Sequence, residues 1–186
     1  MKSLSVLIPT LLERRAMFNT LYNHLAMQVG NKEVRIVSDI TGKPMSIGRK
    51  RQKMLQEAVT DYIVFVDDDD MVTHDYVEKV YNAIQSGPDV VGLCGYMTTN
   101  RQNPEDWIIS IKYPEWKSDV DGFKYVRYPN HLAPVKREHA LAAGFPDKTH
   151  GEDYDYSMSL KNTGLLKNEV LIDEKLYHYI FIPHKA

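Results

Sequence analysis

The sequence predicts an α/β fold, one domain with a mostly parallel central sheet covered by helices. Three observations carry that expectation. Strand-like apolar runs alternate with amphipathic helical patterns over residues 1–97, the order that builds βαβ units on a parallel sheet. The run Tyr62-Ile63-Val64-Phe65-Val66 is apolar throughout and rich in β-branched and aromatic residues, which suits a strand buried on both faces. It ends directly in Asp67, Asp68, Asp69 and Asp70, so pure charge falls beyond the carboxyl end of a strand, where open α/β sheets bind ligands.

The elements follow in order. Leu4-Ser5-Val6-Leu7-Ile8 reads as the first strand, stopped by Pro9-Thr10. A helix follows with Phe18, Leu21, Tyr22 and Leu25 on one stripe. Val34 to Ser38 is the second strand and ends at Asp39, ahead of the turn-forming Thr41-Gly42-Lys43-Pro44. The next helix runs from about Ile47 to Ala58, and its stripe of Ile47, Met54, Leu55 and Ala58 turns Arg51 inward. After the aspartates, Thr73 is placed to cap a helix that buries Tyr76, Val77, Val80, Tyr81 and Ile84, ended by Gly87-Pro88. Val90 to Met97 is a fourth strand.

Beyond residue 97 the pattern weakens. Thr98 to about Pro129 has no helical period and predicts only short strands near Trp107 to Tyr113 and Phe123 to Tyr128. Val135 to Ala143 reads as a short helix closed by Gly144. A longer helix starts near Gly151-Glu152-Asp153 and stops at Thr163-Gly164. Val170 to Ile172 and Leu176 to Ile182 are candidate strands.

Composition sets limits. The 186 residues carry a formal net charge of -2, which excludes a global basic field of the kind that drives non-specific nucleic-acid binding. Cys94 is the only cysteine, which excludes an intrachain disulfide and a cysteine-rich zinc site and makes this residue a small core side chain. The apolar stretch Leu4 to Ile8 is too short for a signal peptide and no run approaches a membrane span. A cytoplasmic location is the expectation.

Adjacent carboxylates disfavour each other's ionisation unless a cation or donors compensate. A divalent metal would do so; a solvated acidic turn is the simpler alternative. Position favours the metal, because three strands deliver Pro9-Thr10, Asp39 and the aspartates to one edge of the sheet. A carboxylate at the end of the second strand suits a ribose or a base N–H. No Gly-x-Gly-x-x-Gly turn and no Walker loop is present, which leaves a metal and basic side chains to hold phosphate. Lys43, Arg49, Lys50, Arg51 and Lys53 supply the cations. Lys50 and Lys53 fit a solvated helix face equally well, whereas inward Arg51 is aimed to brace the carboxylates or clamp a phosphate.

Val6-Leu7-Ile8-Pro9-Thr10, Ile36-Val37-Ser38-Asp39, Gly48-Arg49-Lys50-Arg51, Phe65-Val66-Asp67-Asp68-Asp69-Asp70 and Gly151-Glu152-Asp153-Tyr154-Asp155 together resemble the ordered motifs of family 2 glycosyltransferases of the GT-A fold. The resemblance covers residues 4 to about 160. It implies a GT-A type, Rossmann-like three-layer sandwich in one domain, with residues 1–97 binding the nucleotide-sugar and residues 98–186 holding the acceptor and the catalytic base. The implied reaction is inverting transfer of a sugar from a nucleotide-diphosphate donor, UDP-linked by family habit, to a hydroxyl of a glycan; nucleic acid bearing a hydroxylated base is a further candidate acceptor.

By position in those motifs, Pro9, Thr10 and Asp39 would contact the nucleoside and Asp67 its ribose, with Arg51 and Asp68 also binding the substrate. Asp69 would bind the metal with Asp67, and a late histidine, His178 before His184, would complete its shell. Oxygen ligands with one imidazole suit Mn2+ or Mg2+. Asp153 would be the general base and Glu152 the substitute; successive helical residues point about 100° apart, so only one can face the acceptor. Gln52 stands where the family commonly has Asn.

The other histidines divide by setting. His24, His74 and His139 read as surface or packing residues, while His131 and His150 flank the acceptor loops. Trp107, Tyr113, Trp116, Phe123, Tyr125 and Tyr128 either stack on a ligand or pack the second half. Two other readings stay open: a haloacid-dehalogenase-like phosphatase with Asp67 as nucleophile and Asp69 as acid, and a non-catalytic binder of nucleotide-sugar and metal.

Overall fold

The structure, a computed structural model, describes residues 1–183. Strand β1 (Leu4–Pro9) lies between β2 (Val34–Asp39) and β3 (Tyr62–Phe65), parallel to both, with Pro9 opposite Asp39 and Leu7 opposite Phe65. The sheet continues through the two-residue antiparallel β9 (Val135–Lys136) to β5 (Val90–Thr99). A two-residue β4 (Met71–Val72) pairs with β10 (Glu169–Phe181), which runs parallel to β5. The far side is formed by β6 (Gln102–Ile109), β8 (Phe123–Arg127) and β7 (Lys117–Val120).

Two helical groups cover this sheet. Helices α1 (Arg15–Val29) and α3 (Tyr76–Ile84) pack together, as do α2 (Ile47–Glu57), α4 (Arg137–Ala143) and α5 (Glu152–Thr163). Every residue of β1 and β3 is buried, as strands with both faces covered must be. The mixed α/β architecture with its mostly parallel centre is the one the alternating pattern predicts.

Local details differ from the sequence reading in instructive ways. Tyr22 is exposed, so the buried stripe of α1 is Leu21 and Leu25 alone. Thr73 does not cap α3; its hydroxyl donates to Asp75 at 2.6 Å while Asp75 occupies the N-cap position. Strand β6 starts at Gln102 rather than near Trp107, because Asn100 and Arg101 both take positive φ and form a two-residue hairpin turn after Thr99. Val135 and Lys136 are strand, and the helix begins only at Arg137. The two C-terminal strands are one, interrupted by register shifts between Ile172 and Tyr177. Cys94 is buried in the core.

Candidate active site

Parallel register brings the ends of β1, β2 and β3 level. The Thr10 backbone N–H donates to the Asp39 carbonyl at 3.0 Å, and the Thr10 hydroxyl donates to Asp68 at 2.5 Å. Buried Lys50 donates to the Thr10 carbonyl, so it is no solvated face; desolvation pulls its pKa down. Asp39 is buried and accepts from Lys53 at 2.8 Å and from the Thr41 N–H at 2.7 Å. Burial raises its pKa, but those bonds outweigh burial and bring it down to about 2.

The four aspartates have four different environments. Asp67 accepts from Arg51 at 2.7 Å on one oxygen and faces His131 at 3.3 Å on the other. Against the cost of burial, the Arg51 guanidinium and the contact with His131 hold its carboxyl well below the usual range. Asp68 is turned inward, 2% exposed, between the Thr10 hydroxyl and Arg14 at 2.8 Å; desolvation raises its pKa. Asp69 is 46% exposed and its partner is Arg14 at 2.5 Å. Asp70 is buried, accepting from the Tyr177 hydroxyl at 2.7 Å and the Ile180 N–H at 2.8 Å. Desolvation, with Asp67 close by, pushes its pKa well up. Asp70 therefore straps β10 to the aspartate loop.

Arg51 is the junction of the site. It is 3% exposed and pairs with Asp67 and with Glu152 at the first position of α5. Burial opposes its charge, yet the two carboxylates raise its pKa. Gly48 makes this possible, since a Cβ there would lie 2.0 Å from the Pro146 carbonyl oxygen and 3.2 Å from Glu152 Cβ. Its own N–H donates to the Lys148 carbonyl at 3.0 Å. Ser46 caps α2 by accepting from the Arg49 N–H at 3.1 Å. Gln52 accepts from the Phe145 N–H at 2.8 Å, fixing the approach to α5.

A cavity of about 590 Å³ opens beside this junction, lined by Arg51, Asp67, Trp107, Trp116, Tyr125, Arg127, His131, His150, Glu152, Asp153 and Tyr179, among others. It meets the strand rim at Asp67; Pro9, Thr10, Asp39, Asp68 and Asp69 lie outside its lining. Glu152 is committed to Arg51, whereas Asp153 lines the cavity without an ion pair among the described residues and accepts only from the Tyr154 N–H at 2.8 Å.

The structure does not bring His178 to the aspartates. Strand side chains alternate, so with Tyr177 on Asp70 and Tyr179 in the cavity, His178 faces the other way. It stacks on Tyr96 with ring centres 4.4 Å apart and meets the Thr98 hydroxyl at 2.8 Å. His184 lies outside the described residues. Among the described residues no group of three His, Cys, Asp or Glu is arranged to hold a metal. A dication bound by one or two carboxylates and completed by substrate phosphate oxygens and water needs no such group, and exposed Asp69 and cavity-facing Asp67 are the carboxylates that could hold one.

Sequence reasoning missed Arg14, which sits on a short 3-10 turn with no motif around it, and the pairing of His131 with Asp67. It also missed the role of Asp70, which only the long-range return of β10 reveals. Arg127 carried no sequence signal beyond its aromatic neighbours.

Residues 42–142 match a family model described as Glycosyl transferase family 2. Among curated proteins no match was found. Among solved structures, S. aureus TarS 1-349 in complex with UDP-GlcNAc superposes with a TM-score of 0.69 at 15% identity, over 98% of this chain and 60% of that one. The same protein in complex with UDP gives 0.65 at 15% identity, over 96% and 60%. The likeness establishes the fold, and the chain spans about 60% of the length of those TarS chains.

Proposed function

The chain belongs to glycosyl transferase family 2, and from that premise we propose that it transfers a sugar, with inversion, from a nucleotide-diphosphate donor to a hydroxyl acceptor. One observation carries the reading. Arg51 joins the rim aspartate Asp67 to the head of α5, so the ledge for the donor and Asp153 flank a single cavity. Pro9, Thr10 and Asp39 are assigned to the nucleoside, Asp67 and Asp69 to the diphosphate and its metal, and the cavity to the acceptor. TarS is described with UDP-GlcNAc and with UDP, which makes a uridine donor the first to try.

The acceptor hydroxyl attacks the anomeric carbon from the face opposite the diphosphate and loses its proton to Asp153. The bond from that carbon to the diphosphate oxygen breaks, and negative charge grows on the leaving group. A dication, Mn2+ or Mg2+, held by Asp69 with Asp67 would supply Lewis-acid stabilisation of that charge. Arg51 keeps Glu152 from serving as base and positions α5, so that its next residue faces the acceptor. The phosphatase alternative finds no support in the family match, which is to glycosyl transferase family 2.

A thermal-shift screen of nucleotide-sugars with manganese, with and without chelator, tests the donor reading. Stabilisation by a UDP-sugar that chelator removes is the expected result. Stabilisation by phosphate monoesters alone, with hydrolysis and no nucleotide binding, would overturn it.

A further inference from the structure

The two guanidinium groups of the cavity have opposite surroundings. Arg51 is neutralised by Asp67 and Glu152. Arg127, at the end of β8, has no carboxylate in ion-pair contact among the described residues; it feels Asp153 only at a distance, and burial pushes its pKa down. Its Nη1 donates to the carbonyls of Lys117 at 2.8 Å and Val126 at 2.9 Å. A guanidinium has five N–H donors, so the Nε and Nη2 hydrogens remain for something else.

The group is held ready. Its central carbon lies 4.9 Å from the ring centres of both Trp116 and Tyr125, contacts that fix the plane without neutralising the charge. Trp116 is itself anchored, its indole N–H donating to Ser157 at 3.1 Å and its ring meeting Tyr154 edge-on. A wall that needed only packing would gain from an apolar side chain here, because a half-buried charge without a partner costs stability. A planar fork with open donors, set between aromatic faces beside the proposed base, matches a sugar-like ligand bearing an oxyanion.

We propose that the acceptor is anionic: it carries a phosphate or carboxylate group near the hydroxyl that is glycosylated, and Arg127, clamped by Trp116 and Tyr125, binds that group. This rests on the transfer reading above and adds the chemical class of the acceptor. The oxyanion takes no part in bond making; the hydroxyl oxygen bonds the anomeric carbon and its proton passes to Asp153. Arg127 offsets the repulsion that an anionic acceptor would otherwise meet from the Asp153 carboxylate. With a net charge of -2, the chain has no general attraction for anions, so this selectivity has to be local.

The test follows the Trp116 indole N–H by NMR in 15N-labelled protein, with UDP and manganese saturating so that phosphate probes are kept off the donor ledge. Trp116→Phe identifies the resonance. Glucose, glucose 6-phosphate and glucuronate are titrated in turn. At least one anionic probe is expected to move the Trp116 signal with a Kd tenfold or more below that of glucose, and the tighter of the two decides between phosphate and carboxylate. Arg127→Met should remove the difference, and Arg127→Lys, which keeps the charge but not the fork, should restore part of it.

Equal affinities for the neutral and anionic probes in the wild-type protein would overturn the proposal, as would full anion affinity in Arg127→Met. The wild-type comparison needs no variant, so it decides the question even where Arg127→Met does not fold. If UDP fails to bind, the donor reading falls separately, and the same titration on the ligand-free protein still tests Arg127.

Discussion

Asp89 and the Asp67–Asp70 rim use the same side chain at opposite ends of two strands, β5 and β3, separated in the sheet by β9, and they differ in how completely it is satisfied. Asp89, just before β5, accepts from Lys136 at 2.8 Å, from the N–H groups of Lys167 and Asn168 at 2.9 Å each, and faces His139 at 3.3 Å. Despite the cost of burial, these partners hold its pKa far below the carboxylate range. It joins β9, α4 and the lead-in to β10, and nothing about it is open. At the rim, Asp70 and Asp68 are closed in the same way, while Asp69 is half exposed and Asp67 reaches a cavity. A saturated carboxylate holds the fold together; one with open lone pairs is available to a ligand.

Asp153→Asn should separate the two roles most sharply. The side chain lines the cavity and makes no ion pair among the described residues, so its loss leaves packing intact and removes the proposed proton acceptor, which should lower kcat by on the order of 10³-fold. The melting temperature and donor affinity should stay near wild type. Wild-type turnover in this variant would return the role of base to another residue, Glu152 first.

Asp89→Ala is the reverse experiment. It strands Lys136 and two backbone N–H groups in a part-buried setting, and losing hydrogen bonds to a charged group costs about 1.5–3 kcal/mol. Urea denaturation should register that loss, while protein that remains folded binds nucleotide as before. A loss under about 1 kcal/mol would show that saturation does not mark a structural carboxylate here.

Asp69→Ala sharpens the contrast within the rim itself. Its partner Arg14 keeps Asp68, so the ligand-free protein should melt within about 2 °C of wild type. Metal-dependent stabilisation by UDP should disappear. A surviving shift that chelator still abolishes would move the metal to other carboxylates.

The first half of the fold was legible because its signals are local. Apolar runs fixed β1, β2, β3 and β5, and the stripe of α2 pointed Arg51 inward before any partner was known. The second half depends on distant pairing. Strand β10 is stitched to β5 across register shifts, and that stitching turns His178 away from the aspartates and Tyr177 toward Asp70. No residue near His178 in the sequence reports which face it takes, since a one-residue slip reverses every side chain of a strand. Arg14 and His131 were hidden for the same reason, each meeting the aspartates only through tertiary packing.

Asp39 lies between the two classes and gives the smallest effect. It is buried and bonded to Thr41 and Lys53, but Lys53 is 43% exposed, so solvent screens the pair and its worth is about 1 kcal/mol. Its folded pKa of about 2 lies below the ordinary 3.8. The stability it adds is therefore present above 3.8 and is lost as the pH falls toward 2. Asp68 and Asp70 shift in the other direction and obscure this in the whole-protein curve. The difference between wild type and Asp39→Asn isolates it: urea titrations should give about 1 kcal/mol at about pH 6 and a gap that narrows steadily below about pH 4. A gap independent of pH would mean that hydrogen-bond geometry, and not charge, is what Asp39 contributes, which would weaken its assignment as a charged contact for the nucleoside.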